Sequence, residues 1–159
     1  APQFGEVIGW SESNAVIYAN SALGARTLKH ADYLDLFIAM TGRAPATGVY
    51  HDEGRRPQVI LSITPPTTDI NDSFWPLLGW LAGTHAPHQI PLITGLKDIP
   101  ASQDDLKGLC AGFGTTSAAH MLHIEGHTAE ADLPPHDKAI VKKIEISHLQ
   151  KAWQTLNQT

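Results

Sequence analysis

The stretch Gln58-Val-Ile-Leu-Ser-Ile63 decides the fold. Val59 to Ile63 form a short apolar run, and they follow a segment, Gly42 to Pro57, that is rich in Gly, Pro and charge. A run of this length after so many breakers reads as a strand. Downstream the pattern alternates. A helix is expected over Ser73 to Leu81, with Pro76 in its first turn, where a missing N–H costs nothing. A second strand follows at Ile90 to Thr94 and a helix at Asp104 to Phe113. Met121 to Glu125 and Ala139 to Ile146 read as further strands, and Ser147 is the expected N-cap of a last helix carrying Leu149, Trp153 and Leu156. Strands and helices in alternation predict an α/β layered domain over residues 57–159, with a largely parallel sheet and flanking helices.

Upstream, residues 1–56 read as a helical unit and a connector. Ala31 to Met40 forms an expected helix with Leu34, Phe37, Ile38 and Met40 on one side and Gly42 as its stop. The charges of the Gly42–Pro57 connector are expected in water or at the rim of a cleft. The earlier stretch Trp10-Ser-Glu-Ser-Asn-Ala-Val-Ile-Tyr-Ala-Asn-Ser-Ala-Leu-Gly-Ala-Arg-Thr27 is a helix of another kind. Ala15, Val16, Ala19, Ala22 and Leu23 make an apolar stripe, while Ser13, Asn14, Asn20, Ser21 and Arg26 gather around the helix and its ends. Buried amides and hydroxyls cost about 1–3 kcal/mol when unpaired, so these groups either satisfy one another or face a ligand. Ser11 or Ser13 is the expected N-cap. Gly24 and Ala25 allow a sharp exit that presents Arg26 and Thr27, a guanidinium fork and a hydroxyl suited to an oxyanion.

Bulk properties narrow the function. A length of 159 residues suits one core, and a formal net charge of -5 without a long Lys/Arg cluster argues against nucleic acid as a partner. The apolar runs Leu34 to Met40 and Phe74 to Ala82 fall short of the roughly 20 residues that cross a membrane. Cys110 is the one cysteine, so no internal disulfide forms, and with no signal peptide in view the expected compartment is the cytoplasm. The sequence starts without Met and runs at once into the polar helix, which suggests a piece of a longer protein.

Motifs exclude several chemistries. There is no P-loop and no G-x-S-x-G elbow. Gly108, Gly112 and Gly114 fall in or at the end of a helix rather than between strand and helix, so they are not a dinucleotide loop. Cys110 shares an apolar face with Leu106, Leu109 and Phe113, which reads as a buried structural thiol. His120, His123 and His127, with Glu125 and Glu130, are the densest group of potential zinc ligands, yet strand alternation turns His120 away from His123 and Glu125. The loop Gly126-His-Thr-Ala-Glu130 better suits a ligand at a sheet edge, with His127 and Glu130 as cleft candidates.

Four stretches together carry a resemblance: the polar helix through Thr27, Leu36-Phe-Ile-Ala-Met-Thr-Gly-Arg-Ala-Pro45, Gly112-Phe-Gly-Thr-Thr-Ser-Ala-Ala119 and His123-Ile-Glu-Gly-His-Thr-Ala-Glu-Ala131. They resemble the catalytic large subunit or region of the aconitase X family. The resemblance implies a hydro-lyase that dehydrates a small hydroxy acid, cis-3-hydroxy-L-proline or phosphomevalonate, with the bacterial hydroxyproline type favoured. It implies an iron–sulfur cluster in the full-length enzyme whose cysteine ligands lie outside this chain, so that these residues bind none and have no activity alone. It implies the rest of the large subunit and a small swivelling subunit or domain as partners. Arg26, Thr27, Ser13 and Asn14 would hold the substrate carboxylate, with Asn20, His127 and Glu130 as further binding candidates, and Glu12 would move a proton or orient a donor. Ala129 stands where the family loop has proline. Two other readings stay open at this point: a cluster-free module that binds a small carboxylate, and a zinc hydrolase.

Overall fold

The computed structural model describes residues 1–31, 33–67 and 70–157. Asp32, inside the second expected helix, lies outside the described residues. The elements are α1 (Ser13–Ser21), α2 (Leu34–Thr41), β1 (Val59–Ile63), α3 (Phe74–His85), β2 (Pro91–Thr94), α4 (Gln103–Thr116), β3 (His123–Ile124), β4 (Ile140–Ile144) and α5 (Ile146–Leu156), with 3-10 turns at Gly48–Tyr50 and Glu53–Arg55. This is an α/β fold. Among the described residues the strands pair only in parallel, in the order β3-β2-β1-β4, so the chain builds outward from β1 and then crosses back to its other side. Among the described residues no helix is long and apolar enough to cross a membrane.

Alternation within the decisive stretch sets the core. Val59, Leu61 and Ile63 are buried while Ile60 and Ser62 are half-buried. The buried set joins Ile93 and Ile144 from neighbouring strands, Trp75, Leu78 and Ala82 of α3, Leu109, Cys110 and Phe113 of α4, and Leu149 and Ala152 of α5 in one cluster. Several element ends differ from expectation for local reasons. Ser102 and Asp105 form a reciprocal capping box, which starts α4 one residue earlier than Asp104, and α3 runs on to His85 through Gly83, which is packed against Phe113 O and the Thr116 hydroxyl of α4. Glu145, not Ser147, caps α5, since the Glu145 N–H donates to Nδ1 of His148 at 2.9 Å. The third strand is only two residues, so alternation cannot place His120 or Glu125. Gly42 ends α2 in the left-handed region, at φ 65, as its position suggested. No residue of α2 is buried, and Phe37 and Met40 face outward at 57% and 73% exposure.

Helices α3 and α4 meet backbone to backbone. A Cβ on Gly79 would collide with the carbonyl of Leu109, and one on Gly112 with the carbonyl of Pro76. Of the glycines that fail as a nucleotide loop, Gly112 joins Gly79 in this packing seam, while Gly114 lies against Asn14 and Ile17 of α1. Gly79→Ala is expected to destabilise the chain by about 1–3 kcal/mol or more, because neither helix can yield without moving the sheet. Gly108→Ala meets only the ring of Pro76, at 3.0 Å, and gains up to about 1 kcal/mol of helix propensity, so it is expected to be near neutral. Urea unfolding of both variants checks the contrast.

Candidate functional site

The polar helix is capped by an acid. Glu12 accepts the N–H of Asn14 at 3.1 Å and of Ala15 at 2.7 Å, placing negative charge at the positive helix end. Ser11, one of the expected caps, donates instead to Asp35 at 3.1 Å, and Ser13 is the first residue of the helix. Glu12, Ser13 and Asn14 are exposed. They sit one nine-residue helix, about 14 Å, from its other end, where Arg26 follows.

At that exit Gly24 takes φ 70, and a Cβ there would strike the ring of Phe4. Only glycine fits both demands. The chain then runs beside the first segment: Arg26 N–H donates to Glu6 O at 2.8 Å and Ile8 N–H to Arg26 O at 3.0 Å. Asn20 and Thr27, expected to face a ligand, are wholly buried and spend their polar atoms within the fold. Thr27 N–H donates to Oδ1 of Asn20 at 2.9 Å, and Nδ2 of Asn20 donates to the carbonyls of Thr27 and His120, each at 2.9 Å. The Thr27 hydroxyl donates to Trp10 O at 2.9 Å. These side chains hold the turn that aims Arg26; no donor of theirs is left for a substrate.

Arg26 lines a cleft of about 430 Å³ with Phe4, Asp52, Glu130, Asp132 and Leu133. Its Nη1 donates to Tyr50 O at 2.8 Å, its Nη2 donates to Asp52, and Oε1 of Glu130 lies 3.8 Å away. The Arg26 side chain is 17% exposed and that of Asp52 80%. The guanidinium beside it holds the Asp52 carboxyl below the usual carboxylate range. Beneath the cleft lies Arg55, with no exposed surface. Its Nε donates to Oε2 of Glu130 at 2.6 Å, Nη1 to Val49 O at 3.0 Å and Nη2 to Asn20 O at 2.9 Å. Burial pushes the Arg55 pKa down, and Glu130 pulls it back toward its ordinary range. The connector's charges were expected in water or at the rim of a cleft; exposed Asp52 stands at the cleft as expected, whereas Arg55 is buried as the central ion of the site, and Tyr50 contributes its carbonyl. The sequence signal was slight: Val49-Tyr50, an apolar pair inside a segment of Gly, Pro and charge, anchors the connector.

The histidines do not converge. His120 Nδ1 accepts the N–H of Lys29 at 3.1 Å. His123 donates from Nε2 to Arg55 O at 2.7 Å, and its buried Nδ1 has no partner among the described residues. His127 Nε2 donates to Leu96 O at 3.0 Å while its ring meets Trp75 edge-on at 5.5 Å. So His127 belongs to the β2 end of the sheet, and only Glu130 of that loop joins Arg26. Among the described residues no group of three or more His, Cys, Asp or Glu could hold a metal ion. Cys110 is buried at 2% exposure, and burial pushes its thiol up to about 12. The residues present therefore do not fit an iron–sulfur cluster, which needs several thiolates.

Comparison with known proteins gives a consistent picture. Residues 1–53 match the model of the aconitase X first domain and residues 57–154 that of the aconitase X second domain. The chain is 41% identical over 163 residues to the cis-3-hydroxy-L-proline dehydratase of Hypocrea jecorina, covering 99% of this chain and 27% of that protein. It is 46% identical over 127 residues to the Pseudomonas aeruginosa enzyme of the same name, covering 80% and 22%. Identity to the phosphomevalonate dehydratase large subunit of Thermococcus kodakarensis is 35% over 144 residues, covering 91% and 35%. The crystal structure of Thermococcus kodakaraensis aconitase X in its holo-form superposes with a TM-score of 0.88 at 32% identity, over 99% of this chain and 40% of that one. The chain thus spans well under half the length of each of these relatives.

Two expected outcomes follow from the buried groups. Maleimide at pH 8 should leave Cys110 unmodified until the chain is unfolded, as mass spectrometry will show. Burial, the largest cause, also lowers the pKa of His123 and of His120. Below about pH 6.5 the unfolded chain binds protons that the folded one refuses, so stability present above that pH is lost as pH falls toward the depressed folded values. Urea midpoints at pH 7.5 and 5.5 should show this loss, and His123→Gln should reduce it.

Proposed function

The chain belongs to the aconitase X family, and on that premise we propose that it is part of a hydro-lyase that dehydrates a small hydroxy acid of the cis-3-hydroxy-L-proline type. The supporting observation is a gradient in likeness: identity is 41% and 46% to the two hydroxyproline dehydratases but 35% and 31% to two phosphomevalonate dehydratase large subunits. Within the longer enzyme, residues 1–56 act as a helical unit and residues 57–159 as an α/β unit. The enzyme is cytoplasmic and closes with a small swivelling subunit or domain.

The role of this chain is to hold the anion. Arg26 is fixed from behind by Tyr50 O and by Glu130, which Arg55 holds in turn, while its remaining partner, Asp52, stands in water. An exposed carboxylate is the displaceable one, so the substrate carboxylate takes the place of Asp52 on the Arg26 fork, making charge-assisted hydrogen bonds. Glu130 keeps the fork aimed at the cleft. Ser13, Asn14 and Glu12, at the far end of α1, and His127, at the β2 end of the sheet, act on another part of the closed site, Glu12 by orienting a donor or moving a proton. Cysteines outside these residues would hold the iron–sulfur cluster of the full-length enzyme, which would supply Lewis acidity.

The test is a dehydratase assay on the full-length enzyme reconstituted anaerobically with iron and sulfide. Arg26→Ala is expected to raise KM for cis-3-hydroxy-L-proline about 10- to 100-fold, the worth of a hydrogen bond to a charged group. Asp52→Asn is expected to lower KM by removing the competing carboxylate. Unchanged KM in both variants would remove Arg26 from the binding site; turnover of phosphomevalonate but not of hydroxyproline would overturn the substrate.

A further inference from the structure

The two faces of the sheet are covered unequally. In a parallel sheet, residues paired in register stand on the same face. Val59, Leu61, Ile63, Ile93 and Ile144 face the core built with α3, α4 and α5. The opposite face carries a row across all four strands: His123, Leu92, Ile60 and Val141. Burial decays along it. His123 is wholly buried under Arg55 O, Leu92 and Ile60 are half-buried, and Val141 is 63% exposed. Among the described residues, Leu92, Ile60 and Val141 join neither apolar cluster. The next row repeats the trend with half-buried Thr94 and Ser62 and exposed Lys143.

Such a surface is out of keeping with its sheet. Purely parallel sheets are covered on both faces, usually by helices, because their strands are apolar on both sides. We propose that this second face is an interdomain interface, covered in the full-length enzyme by a helical layer from a part of the same polypeptide outside these 159 residues. The inference rests on the reading of the chain as part of a larger enzyme. Three observations select that occupant. Cover on this face already starts at β3 from residues 1–56, through Arg55, so an intramolecular interface exists and stops short of β4. The relatives have the length to complete it, since this chain spans 27% of the Hypocrea protein and 40% of the matched aconitase X chain. Lys143 stands exposed at the end of an otherwise neutral row, so the covering layer meets apolar Leu92, Ile60 and Val141 with apolar side chains and Lys143 with an acid.

The interface is tested by accessibility in the full-length, cluster-loaded enzyme. Val141→Cys is treated with maleimide and modification at that position is followed by peptide mass spectrometry, in native buffer and in urea. The introduced thiol is expected to react at least about a hundredfold more slowly in the native enzyme, as groups reached only through local opening do. Reaction at the unfolded rate in enzyme that still turns over would overturn the interface and leave the dehydratase reading standing. Protection that appears only as enzyme concentration rises would give the face to a second copy and also overturn the proposal. Hydroxyl-radical footprinting of Leu92 and Val141 in the wild-type enzyme provides the same comparison if the variant fails to fold; protection without dehydratase activity would sink the functional reading alone.

Discussion

One buried guanidinium fixes how the two halves of this chain meet. Arg55 has no exposed surface, yet every direction of its fork is answered: a carboxylate from the loop after β3, a carbonyl from the turn that precedes it and a carbonyl from the end of α1. Its own carbonyl then receives His123 from the sheet. Removing one partner of such a pair strands a charge in a low dielectric and costs about 3–5 kcal/mol, although the intact pair adds little net stability over an apolar substitute. What the pair contributes is geometry. It holds Glu130 beside Arg26, and among the described residues Arg26 is the one guanidinium that lines the cleft.

The rest of the architecture serves that placement. The glycine seam between α3 and α4 lets both helices lie close over the same face of the sheet, which sets where β3 emerges and hence where the loop to Glu130 begins. The Asn20–Thr27 pair does the same from the other side by clamping the exit of α1. Ala129 adds a hydrogen bond from its N–H to Ser21 O at 3.1 Å. A proline there would lack that donor, so the loop is tied to α1 in a way its expected family sequence does not allow.

The legible parts of this fold were those governed by local rules. Alternation in Val59 to Ile63, the breakers around it and the Gly42 stop depend on neighbours in sequence, and the strands and parallel sheet followed from them. The family resemblance was legible too, in the polar helix above all. What escaped depended on partners far along the chain. Glu12 outcompetes Ser11 as a cap because Ser11 has Asp35 to bind, and Asn20 and Thr27 turn inward because each satisfies the other. Arg55 and Arg56 look alike in sequence, but Arg55 has Glu130, 75 positions away, while Arg56 stays half-buried against Pro134, Pro135 and Glu53. A charge is buried only when its partner arrives, and no local pattern announces that.

Arg55 acts on the cleft through Glu130. A double-mutant cycle in the full-length enzyme, Arg55→Met, Glu130→Gln and both together, measures this action most directly by urea unfolding and by KM for cis-3-hydroxy-L-proline. Direct partners should show a coupling of about 1–3 kcal/mol in stability, with the double variant far less damaged than the sum of the singles, and KM should rise in each single variant. Additive losses in stability, or a KM unmoved by either change, would contradict the account.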